Sequence, residues 1–387
     1  MDIDGRVTGI ARLRKAIFLE RPTCFLVRCR LDSGGQTEAF LPNPGRLWEL
    51  LLPGATLYLT RSPPTRGAIS YHRRTRYTAV AVERGGAPVF LHTMATNRVA
   101  RYLLENRLIP SLENAQVVRT EVPVGRSRLD FLLREEGRDM YAEVKSVTLF
   151  GNGVAMFPDA VTDRGRRHLL TLGRLAREGN RSLVLFLVHT PKVHCFMPDY
   201  HSDFAFSKAL LSVRGDVRII PVALTWRSAL SFDHRVKLLD IPWGYLQRQV
   251  KDRGSYLLLL RLASDKNVDV GALGRIQFAP GYYVYVGSAM RGLSARIARH
   301  RRKRKRPRWH VDYLRREADG FLALPIRSSR REECDVARAL SAVLNYGPVG
   351  FGSSDCRCKT HLFWIGKNPL DVSAFHTVLQ RFRMAQP

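Results

Sequence analysis

Two stretches, Arg128-Leu-Asp-Phe-Leu-Leu133 and Met140-Tyr-Ala-Glu-Val-Lys-Ser-Val147, place three charged residues inside segments that otherwise predict buried strands. Side chains alternate between the two faces of a strand, so Glu143 and Lys145 lie on the same face. If the two strands are neighbours, Asp130 joins them. Two carboxylates and one ammonium can hold a divalent metal and orient a water, which phosphodiester hydrolysis requires. Taken alone, this pattern is more often a solvated sheet face.

The composition favours a nucleic acid as the partner. The 387 residues include 63 Lys and Arg against 34 Asp and Glu, a formal net charge of +29. A field of this size attracts polyanions, nucleic acid before an anionic membrane. The apolar runs have the length of strands, so no membrane segment is expected. The length predicts two or three domains, and the sequence does not indicate an oligomeric state.

Two features of the sequence predict a cytoplasmic protein. The start, Met1–Arg6, is acidic and no apolar run follows it, so no signal peptide is expected. The six cysteines are too sparse for a disulfide scaffold and suit a reducing compartment.

The first 90 residues alternate short β-type runs with turn clusters such as Gly34–Gly35 and Pro63–Pro64. Several short strands in a basic segment predict a small all-β barrel, with an OB-type barrel as the leading interpretation. Other small β-modules remain an alternative.

In residues 91–240 the predicted helices and strands alternate, which predicts an α/β domain. A helix begins at Thr96 or Asn97 as its cap, three strands follow it, and a second helix spans Asp163–Arg177. Ser182–His189 is a fully apolar strand of the buried, parallel type. The order αβββαβ predicts an α/β sandwich.

Several long motifs of this region resemble the sugar fermentation stimulation protein family, a bacterial and archaeal DNA-binding family. They are Leu41–Arg46, Trp48–Gly54, Ser127–Phe131, Glu143–Thr148 and Phe157–Gly165 followed by His168. The resemblance covers about residues 5–235. It implies an OB-type barrel followed by a PD-(D/E)XK nuclease-like fold of the restriction-endonuclease-like class.

The resemblance also implies roles for individual residues. Asp130 and Glu143 would bind Mg²⁺ or Mn²⁺, and Lys145 would orient the attacking water and stabilise negative charge on the phosphate. Glu121 has two equally supported interpretations: a further carboxylate of this site, or an ordinary residue at the end of a strand. Residues expected to contact nucleic acid in this region are Arg46, Arg164, Arg167 and His168, with a solvated helix face as the alternative for the last three.

Residues 241–253 are predicted to be a linker. Residues 254–366 are predicted to form a third, α+β domain, which resembles the GIY-YIG nuclease superfamily. The first signature is Gly254-Ser255-Tyr256, the second is Tyr285-Val286-Gly287, and a helix carries Arg296 and His300 four residues apart. Ser255 stands where isoleucine is usual. The span between the tyrosines is long, and a loop inserted at about 265–274 would account for it. Residues 367–387 form a C-terminal tail with one helix.

This second resemblance implies hydrolysis with a single Mg²⁺. Tyr256 or Tyr285 would position or deprotonate the water, and Arg296 would hold the phosphate. Glu333 would bind the metal. A tyrosine pair in a strand is more often part of a core, and the Arg and Glu context favours the functional interpretation.

A basic run follows the Arg296 helix, with ten basic residues and no acidic one between Arg291 and Arg308. We expect it to bind phosphates without sequence specificity. The residues expected to do so are Arg299, Arg301, Arg302, Lys303, Arg304, Lys305 and Arg306.

Three cysteines and a histidine could bind zinc: Cys334, Cys356, Cys358 and His361. Their tight spacing favours buried thiols and a structural histidine instead. No small-molecule cofactor is expected.

The sequence therefore favours a Mg²⁺-dependent DNA endonuclease with two nuclease-like centres. Two alternatives stay open: a DNA-binding regulator without catalysis, linked to sugar (maltose) metabolism, and an RNA-processing nuclease.

Overall fold

The structure, a computed structural model, describes residues 7–8, 10, 12–62, 75–227, 230–231, 233 and 235–386. The acidic start Met1–Arg6 and the turn at Pro63–Pro64 lie outside the described residues. The chain divides into two compact units. The first unit holds most of the residues up to Pro242, and the second holds residues 243–385 with residues 200–202. Among the described residues, no helix is both long and apolar enough to cross a bilayer.

The first unit begins with a closed five-stranded barrel of the OB type. Strand β1 pairs with β2 and β4, β4 pairs with β5, and β3 closes the barrel by pairing parallel with β5. A sixth strand, β6, extends it beside β5. The strands are β1 (Arg14–Thr23), β2 (Leu26–Leu31), β3 (Gln36–Phe40), β4 (Thr56–Arg61), β5 (Tyr77–Arg84) and β6 (Ala87–Phe90).

The central α/β region has the predicted αβββαβ order, with short strands added. Its main sheet has the order β15-β14-β12-β9-β8-β7. A small sheet contains β10, β11 and β13. The elements are α1 (Thr93–Glu105), β7 (Gln116–Val124), β8 (Ser127–Glu135), β9 (Arg138–Val147), β10 (Leu149–Gly151), β11 (Val154–Phe157), α2 (Asp163–Arg177), β12 (Arg181–Val188), β13 (Cys195–Pro198), α3 (Phe204–Val213), β14 (Arg218–Ala223) and β15 (Lys237–Leu238).

The strand β12 is apolar because both of its edges and both of its faces are covered. It pairs parallel with β9 on one side and with β14 on the other, and seven of its eight residues are buried. A strand in this position has no solvated face, so its sequence shows no polar alternation. The prediction of a buried, parallel strand at Ser182–His189 is confirmed.

The start of α1 differs from the prediction. His92 is the N-cap, and its side chain accepts a hydrogen bond from the Ala95 amide. Thr96 is buried inside the helix, and Asn97 donates to Asp130. The prediction of Thr96 or Asn97 as the cap was wrong. Thr and Asn are common N-cap residues and histidine is not, but the His92 ring nitrogen accepts the same bond.

The second unit is built on the antiparallel sheet β20-β16-β19-β22-β21. The expected linker contains a seven-residue helix, α4. The elements are α4 (Trp243–Gln249), β16 (Gly254–Leu262), β17 (Lys266–Asp269), β18 (Arg275–Phe278), β19 (Gly281–Ala289), α5 (Leu293–Arg301), α6 (His310–Glu317), β20 (Gly320–Arg327), α7 (Glu333–Ser341), β21 (Asn345–Tyr346), β22 (Leu362–Ile365) and α8 (Ser373–Arg383), with 3₁₀ turns at Gly271–Leu273 and Pro369–Asp371.

The insertion between the two tyrosines is a β-hairpin, where the sequence predicted a loop at about 265–274. Strands β17 and β18 pair through Val268 and Ile276. Val268, Val270 and Phe278 are buried in the core cluster of the second unit. The apolar residues of the insertion therefore belong to the fold.

Candidate functional site

The predicted acidic cluster of the first unit forms where β8 and β9 separate. Their pairing runs from Phe131 opposite Ala142 to the hairpin turn, and it stops before Asp130. Beyond that point, Asp130 Oδ2 accepts a hydrogen bond from the Val144 amide at 2.8 Å. The side chain of Asp130 thus occupies the place of a partner-strand carbonyl.

The cluster brings Asp130, Glu143 and Lys145 together as predicted. Glu143 is 3 % exposed, and its Oε1 contacts Lys145 Nζ and His168 Nδ1. Its other oxygen, Oε2, is buried without a hydrogen-bond partner among the described residues. A buried carboxylate oxygen without a partner is costly, and a cation would satisfy it.

The two carboxylates have opposite pKa shifts. Burial and the negative charge of Glu143 raise the pKa of Asp130, against the bonds from Val144 and Asn97. For Glu143, burial also raises the pKa, but the hydrogen bond from His168 and the charge of Lys145 outweigh it and lower the pKa overall. Two nearby carboxylates favour sharing a proton or a cation.

The other predicted residues of the first unit lie in four settings. Arg164 and Arg167 are exposed on α2, whereas His168 is 3 % exposed and bonds to Glu143. His168 therefore contacts the acidic cluster, where the sequence predicted a contact with phosphate. Glu121 is exposed and forms an ion pair with Arg128 at 3.2 Å. The Arg46 guanidinium lies 4.8 Å from the centre of the Trp48 ring.

In the second unit, the two predicted tyrosines lie on one face of the sheet. Tyr256 is opposite Gly287 and Tyr285 is opposite Leu258 in the register of β16 and β19. A Cβ at position 287 would lie 2.5 Å from the Tyr256 ring, so this position requires glycine. The glycine of the second signature makes room for the tyrosine of the first.

A cavity of about 320 Å³ joins all four predicted residues of the second unit. Arg296 stacks on Trp309 at 4.2 Å and donates to the Ser288 carbonyl at 3.2 Å. Glu333 Oε2 accepts a hydrogen bond from the Ser288 hydroxyl. The lining residues are Tyr256, Tyr285, Ser288, Arg296, Arg308, Trp309, His310, Arg331, Glu333, Gly352, Ser354 and Asp355.

A chain of hydrogen bonds leads from this cavity into the core. The Tyr256 hydroxyl lies 3.0 Å from His300 Nε2, and His300 Nδ1 lies 3.1 Å from Asp312 Oδ1. Burial lowers the pKa of His300, against the hydrogen bond to Asp312. Burial also raises the pKa of both tyrosines well above the usual value of about 10. The sequence placed His300 beside Arg296 without giving it a role, and it gave no signal for Asp312.

The basic run is partly structural. Arg301, Arg302, Lys303, Arg304 and Arg306 are exposed, as expected for phosphate contacts.

Two members of the run point inward instead. The Lys305 side chain is 7 % exposed and forms an ion pair with Asp312 at 2.8 Å. Arg299 lies 3.4 Å from the same carboxylate. The prediction that both residues contact phosphate is therefore not supported, since both pair with Asp312. A buried Asp312 requires cationic partners, and the sequence pattern did not reveal it.

The four residues considered for zinc converge, contrary to the favoured interpretation of separate buried thiols. The ligand atoms of Cys334, Cys356, Cys358 and His361 all lie within 4.8 Å of one another. The three cysteines are only half-buried. The sequence names the same four residues as a possible zinc site, but its spacing does not favour one, because Cys334 is 22 residues before the next cysteine and meets it only through the fold of the loop.

Comparison with known proteins agrees with this architecture. Three family models match the chain: the SfsA N-terminal OB domain over residues 19–91, the sugar fermentation stimulation protein RE domain over 94–229, and domain of unknown function DUF123 over 255–384. The last match includes α8, which the sequence placed in a C-terminal tail.

Curated relatives match about half of the chain. A sugar fermentation stimulation protein homolog from Methanothermobacter thermautotrophicus is 37% identical over 208 residues, which cover 54% of this chain and 84% of that protein. A homolog from Moorella thermoacetica is 39% identical over 201 residues, which cover 52% of this chain and 84% of that protein.

A solved structure, Pyrococcus furiosus SfsA in complex with Ca²⁺, is also similar. It is 28% identical, with a TM-score of 0.55, and the match covers 60% of this chain and 96% of that one.

Proposed function

The chain belongs to the sugar fermentation stimulation protein family, and from that premise we propose that it is a metal-dependent nuclease that cuts DNA at two separate centres. One observation carries the proposal. Glu143 Oε2 is buried, without a partner among the described residues, in a cluster that also contains Asp130 and Lys145. A protein has little reason to bury such a pair of carboxylates unless a cation completes it.

The residues of the first centre fit a divalent metal. Asp130 and Glu143 would supply the oxygen ligands that Mg²⁺ and Mn²⁺ prefer. The Pyrococcus furiosus relative was solved with Ca²⁺, which supports a hard divalent cation here. When bound, the metal would lower the pKa of a water and offset negative charge on the phosphate.

Other residues of this centre would hold the two carboxylates and the Lys145 ammonium in position. Asn97 and the Val144 amide hold Asp130 in place through its two oxygens. Lys145 is held by Glu143, so its ammonium lies where a phosphate bound to the cluster would gain negative charge. His168 contacts the same Glu143 oxygen, Oε1, through Nδ1 and helps to hold it in place.

The second centre supports the same chemistry with different residues. The Arg296 side chain lines the cavity and would hold the phosphate. Glu333 fits a metal. Burial raises its pKa, but the nearby His361 ring and the hydrogen bond from Ser288 outweigh burial and lower the pKa overall, so Glu333 is a carboxylate at neutral pH. The raised pKa keeps the Tyr256 and Tyr285 hydroxyls protonated, so they would position water through hydrogen bonds: Tyr285 as a donor, and Tyr256 through the oxygen whose proton goes to His300.

Substrate binding would rest on charge. The net charge of +29 and the exposed arginines after α5 favour the phosphate backbone over base edges. We place the protein in the cytoplasm, where its six free cysteines would stay reduced.

A second candidate function has one observation in its favour. Glu143 Oε1 already contacts both Lys145 and His168, so the cluster is partly neutralised without a metal. A DNA-binding regulator without catalysis, of the kind suggested by the family's link to sugar metabolism, could keep such a cluster for stability.

Cleavage assays on the full chain separate the candidates. Duplex, single-stranded, flapped and junction DNA, and matched RNA, would be incubated with Mg²⁺, Mn²⁺ or EDTA. We expect metal-dependent cutting of DNA. Wild type that binds DNA and cuts no substrate with either metal would establish the regulator instead, and cutting of RNA alone would establish the RNA-processing alternative.

Variants assign the cutting to each centre. Lys145→Ala should lower cleavage by the first centre about 100-fold or more, and Glu333→Gln should do the same at the second. The double variant should lose both activities. Lys208→Ala, an exposed lysine on α3, serves as the control and should cut like wild type.

A further inference from the structure

Two segments of the second unit bring four side chains to one point, which we call the Cys3His cluster. Its members are Cys334 from one segment and Cys356, Cys358 and His361 from the other. Cys334 lies in the first turn of α7, and His361 directly precedes β22. Cys356 and Cys358 lie in the segment between β21 and β22, which is 15 residues long and contains no helix or strand. Loops of this length without secondary structure are uncommon inside compact domains, and ordered ones are usually functional.

The spacing of the ligand atoms fits a tetrahedral metal. With bonds of about 2.3 Å to sulfur and about 2.0 Å to nitrogen, neighbouring ligand atoms lie roughly 3.5–3.8 Å apart. His361 Nε2 is 3.5 Å from Cys356 Sγ and 4.0 Å from Cys334 Sγ. Three thiols and an imidazole are soft and borderline ligands, which favour zinc over Mg²⁺ or Ca²⁺.

His361 has a second neighbour on its other side. Its Nδ1 lies 3.4 Å from Glu333 Oε1, and the residue is 1 % exposed. No hydrogen bond within the usual geometry satisfies this buried Nδ1. A metal on Nε2 would leave the ring proton on Nδ1, pointing at the Glu333 carboxylate, in the carboxylate–histidine–metal arrangement common around zinc.

We propose that the Cys3His cluster binds one zinc ion and that this ion, through His361, holds the Glu333 carboxylate in position at the second centre. Zinc binding stands on the cluster alone, and the role given to Glu333 rests on the proposed function. Glu333 would then be a ligand of the catalytic metal on one side and a partner of the zinc-bound histidine on the other.

The charges near the cluster agree with this assignment. Three thiolates, a neutral imidazole and Zn²⁺ carry one net negative charge, and binding releases the three thiol protons to solvent. Arg338, Arg357 and Lys359 line the groove beside Cys334 and Cys358. These cations would offset the remaining charge.

Zinc binding is tested on the full chain by metal analysis after purification under reducing conditions. We expect one zinc per chain. Cys356→Ser and Cys358→Ser should each lose it, whereas Cys24→Ser, an exposed cysteine of the barrel, should keep it. In wild type, Co²⁺ in place of zinc should give the intense visible absorption of tetrahedral thiolate coordination. A chain that takes up neither ion when refolded with it would overturn the inference, whatever the variants do.

The link to Glu333 has its own readout in zinc affinity. Glu333→Gln keeps the shape and removes the charge that the His361 ring faces, so zinc should bind about 10–100-fold more weakly in competition with a chelator. Glu332→Gln, the adjacent carboxyl outside the cavity lining, is the matched control and should bind zinc like wild type. Equal zinc affinity in both variants would contradict the proposed interaction between Glu333 and a zinc-bound His361.

The two proposals fail in different ways. A chain that holds zinc at the cluster and never cuts nucleic acid keeps the zinc site and loses the nuclease assignment. A chain that cuts with Mg²⁺ and contains no zinc keeps the nuclease assignment and loses the zinc site.

Discussion

The Tyr256 hydroxyl lies 3.0 Å from His300 Nε2, so the second centre connects to a buried histidine. Because Asp312 occupies Nδ1, the neutral ring carries its proton there, and Nε2 accepts from the tyrosine. Tyr256 is therefore oriented by His300 in the way that a catalytic hydroxyl is oriented by a base.

This arrangement predicts a pH profile for the second centre, measured as cleavage by the Lys145→Ala variant. His300 must be neutral to accept from Tyr256, and its pKa is lowered from the ordinary value of about 6.5. His300 and the tyrosines should therefore introduce no change in rate between pH 7 and pH 9, and the rate should fall only below about 6.5. Tyr256→Phe should lower kcat about 100-fold with little change in KM.

Tyr346→Phe is the control for that substitution, since Tyr346 is exposed and outside the cavity. A Tyr256→Phe variant as active as Tyr346→Phe would rule out a role for the hydroxyl.

Asp312 should be a main support of the second unit. It is fully buried and faces Lys305 at 2.8 Å and His300 at 3.1 Å. Asp312→Asn leaves buried cations without their partner and should lower the free energy of unfolding by about 3–5 kcal/mol in urea titrations of the second unit. Asp335→Asn, which breaks an exposed pair with Arg338, should cost under about 1 kcal/mol.

The same carboxylate predicts a dependence on pH. Its pKa lies well below the ordinary range because the bonds from His300 and Lys305 outweigh the burial that raises it. The stability it contributes is complete above its unfolded pKa of about 4 and is lost as the pH falls toward the folded value. The difference between wild type and Asp312→Asn should therefore shrink below pH 4, and a constant difference would contradict the assignment.

The basic run should divide into binding and structural residues. Replacing the exposed Arg301, Arg302 and Arg304 by alanine should reduce the slope of log affinity against log salt by about 0.9 for each lost phosphate contact on duplex DNA. Lys305→Ala should leave the slope unchanged and lower thermal stability, because Lys305 is paired with Asp312. A slope that falls equally with Lys305→Ala would contradict this division.

His168 should stabilise the first centre from within. His168→Gln removes the 2.5 Å contact that helps to hold the pKa of Glu143 below its ordinary value. We expect a loss of about 1–3 kcal/mol in the unfolding of the first unit at pH 7.

The loss in His168→Gln should also depend on pH. A lowered carboxyl pKa gives stability that is present above the unfolded value and disappears as the pH falls through the folded one. The difference from wild type should therefore decrease below about pH 4. Arg164→Gln, exposed on the same helix, should show neither the loss nor the pH dependence.

Local patterns in the sequence predicted most of the fold. The buried strand β12 and the helix Asp163–Arg177 follow from a continuous apolar run and from an apolar stripe after a threonine cap. The hairpin of β17 and β18 was missed because its few apolar residues are spread through a polar stretch. They pack only when the rest of the second unit is present.

Contacts that depend on distant residues account for what the sequence did not predict at the sites. His168 and Lys305 look like ordinary basic residues on solvated faces until the fold places Glu143 and Asp312 against them. The Cys3His cluster likewise assembles from one helix and one loop. Sequence spacing is informative within an element and between strands that follow one another, such as β8 and β9, and much less so about which distant elements meet.

The bond from the Val144 amide to Asp130 has an evolutionary consequence. Because the Asp130 side chain accepts the Val144 amide just beyond the last β8–β9 pair, it also supports the sheet, and a relative without catalysis would keep this structural reason to retain it. Persistence of this aspartate among relatives would therefore be weak proof of enzymatic turnover. Among the described residues, the Lys145 ammonium bonds to the Glu143 side chain and not to a backbone atom, so retention of Lys145 would be better evidence for the proposed catalysis.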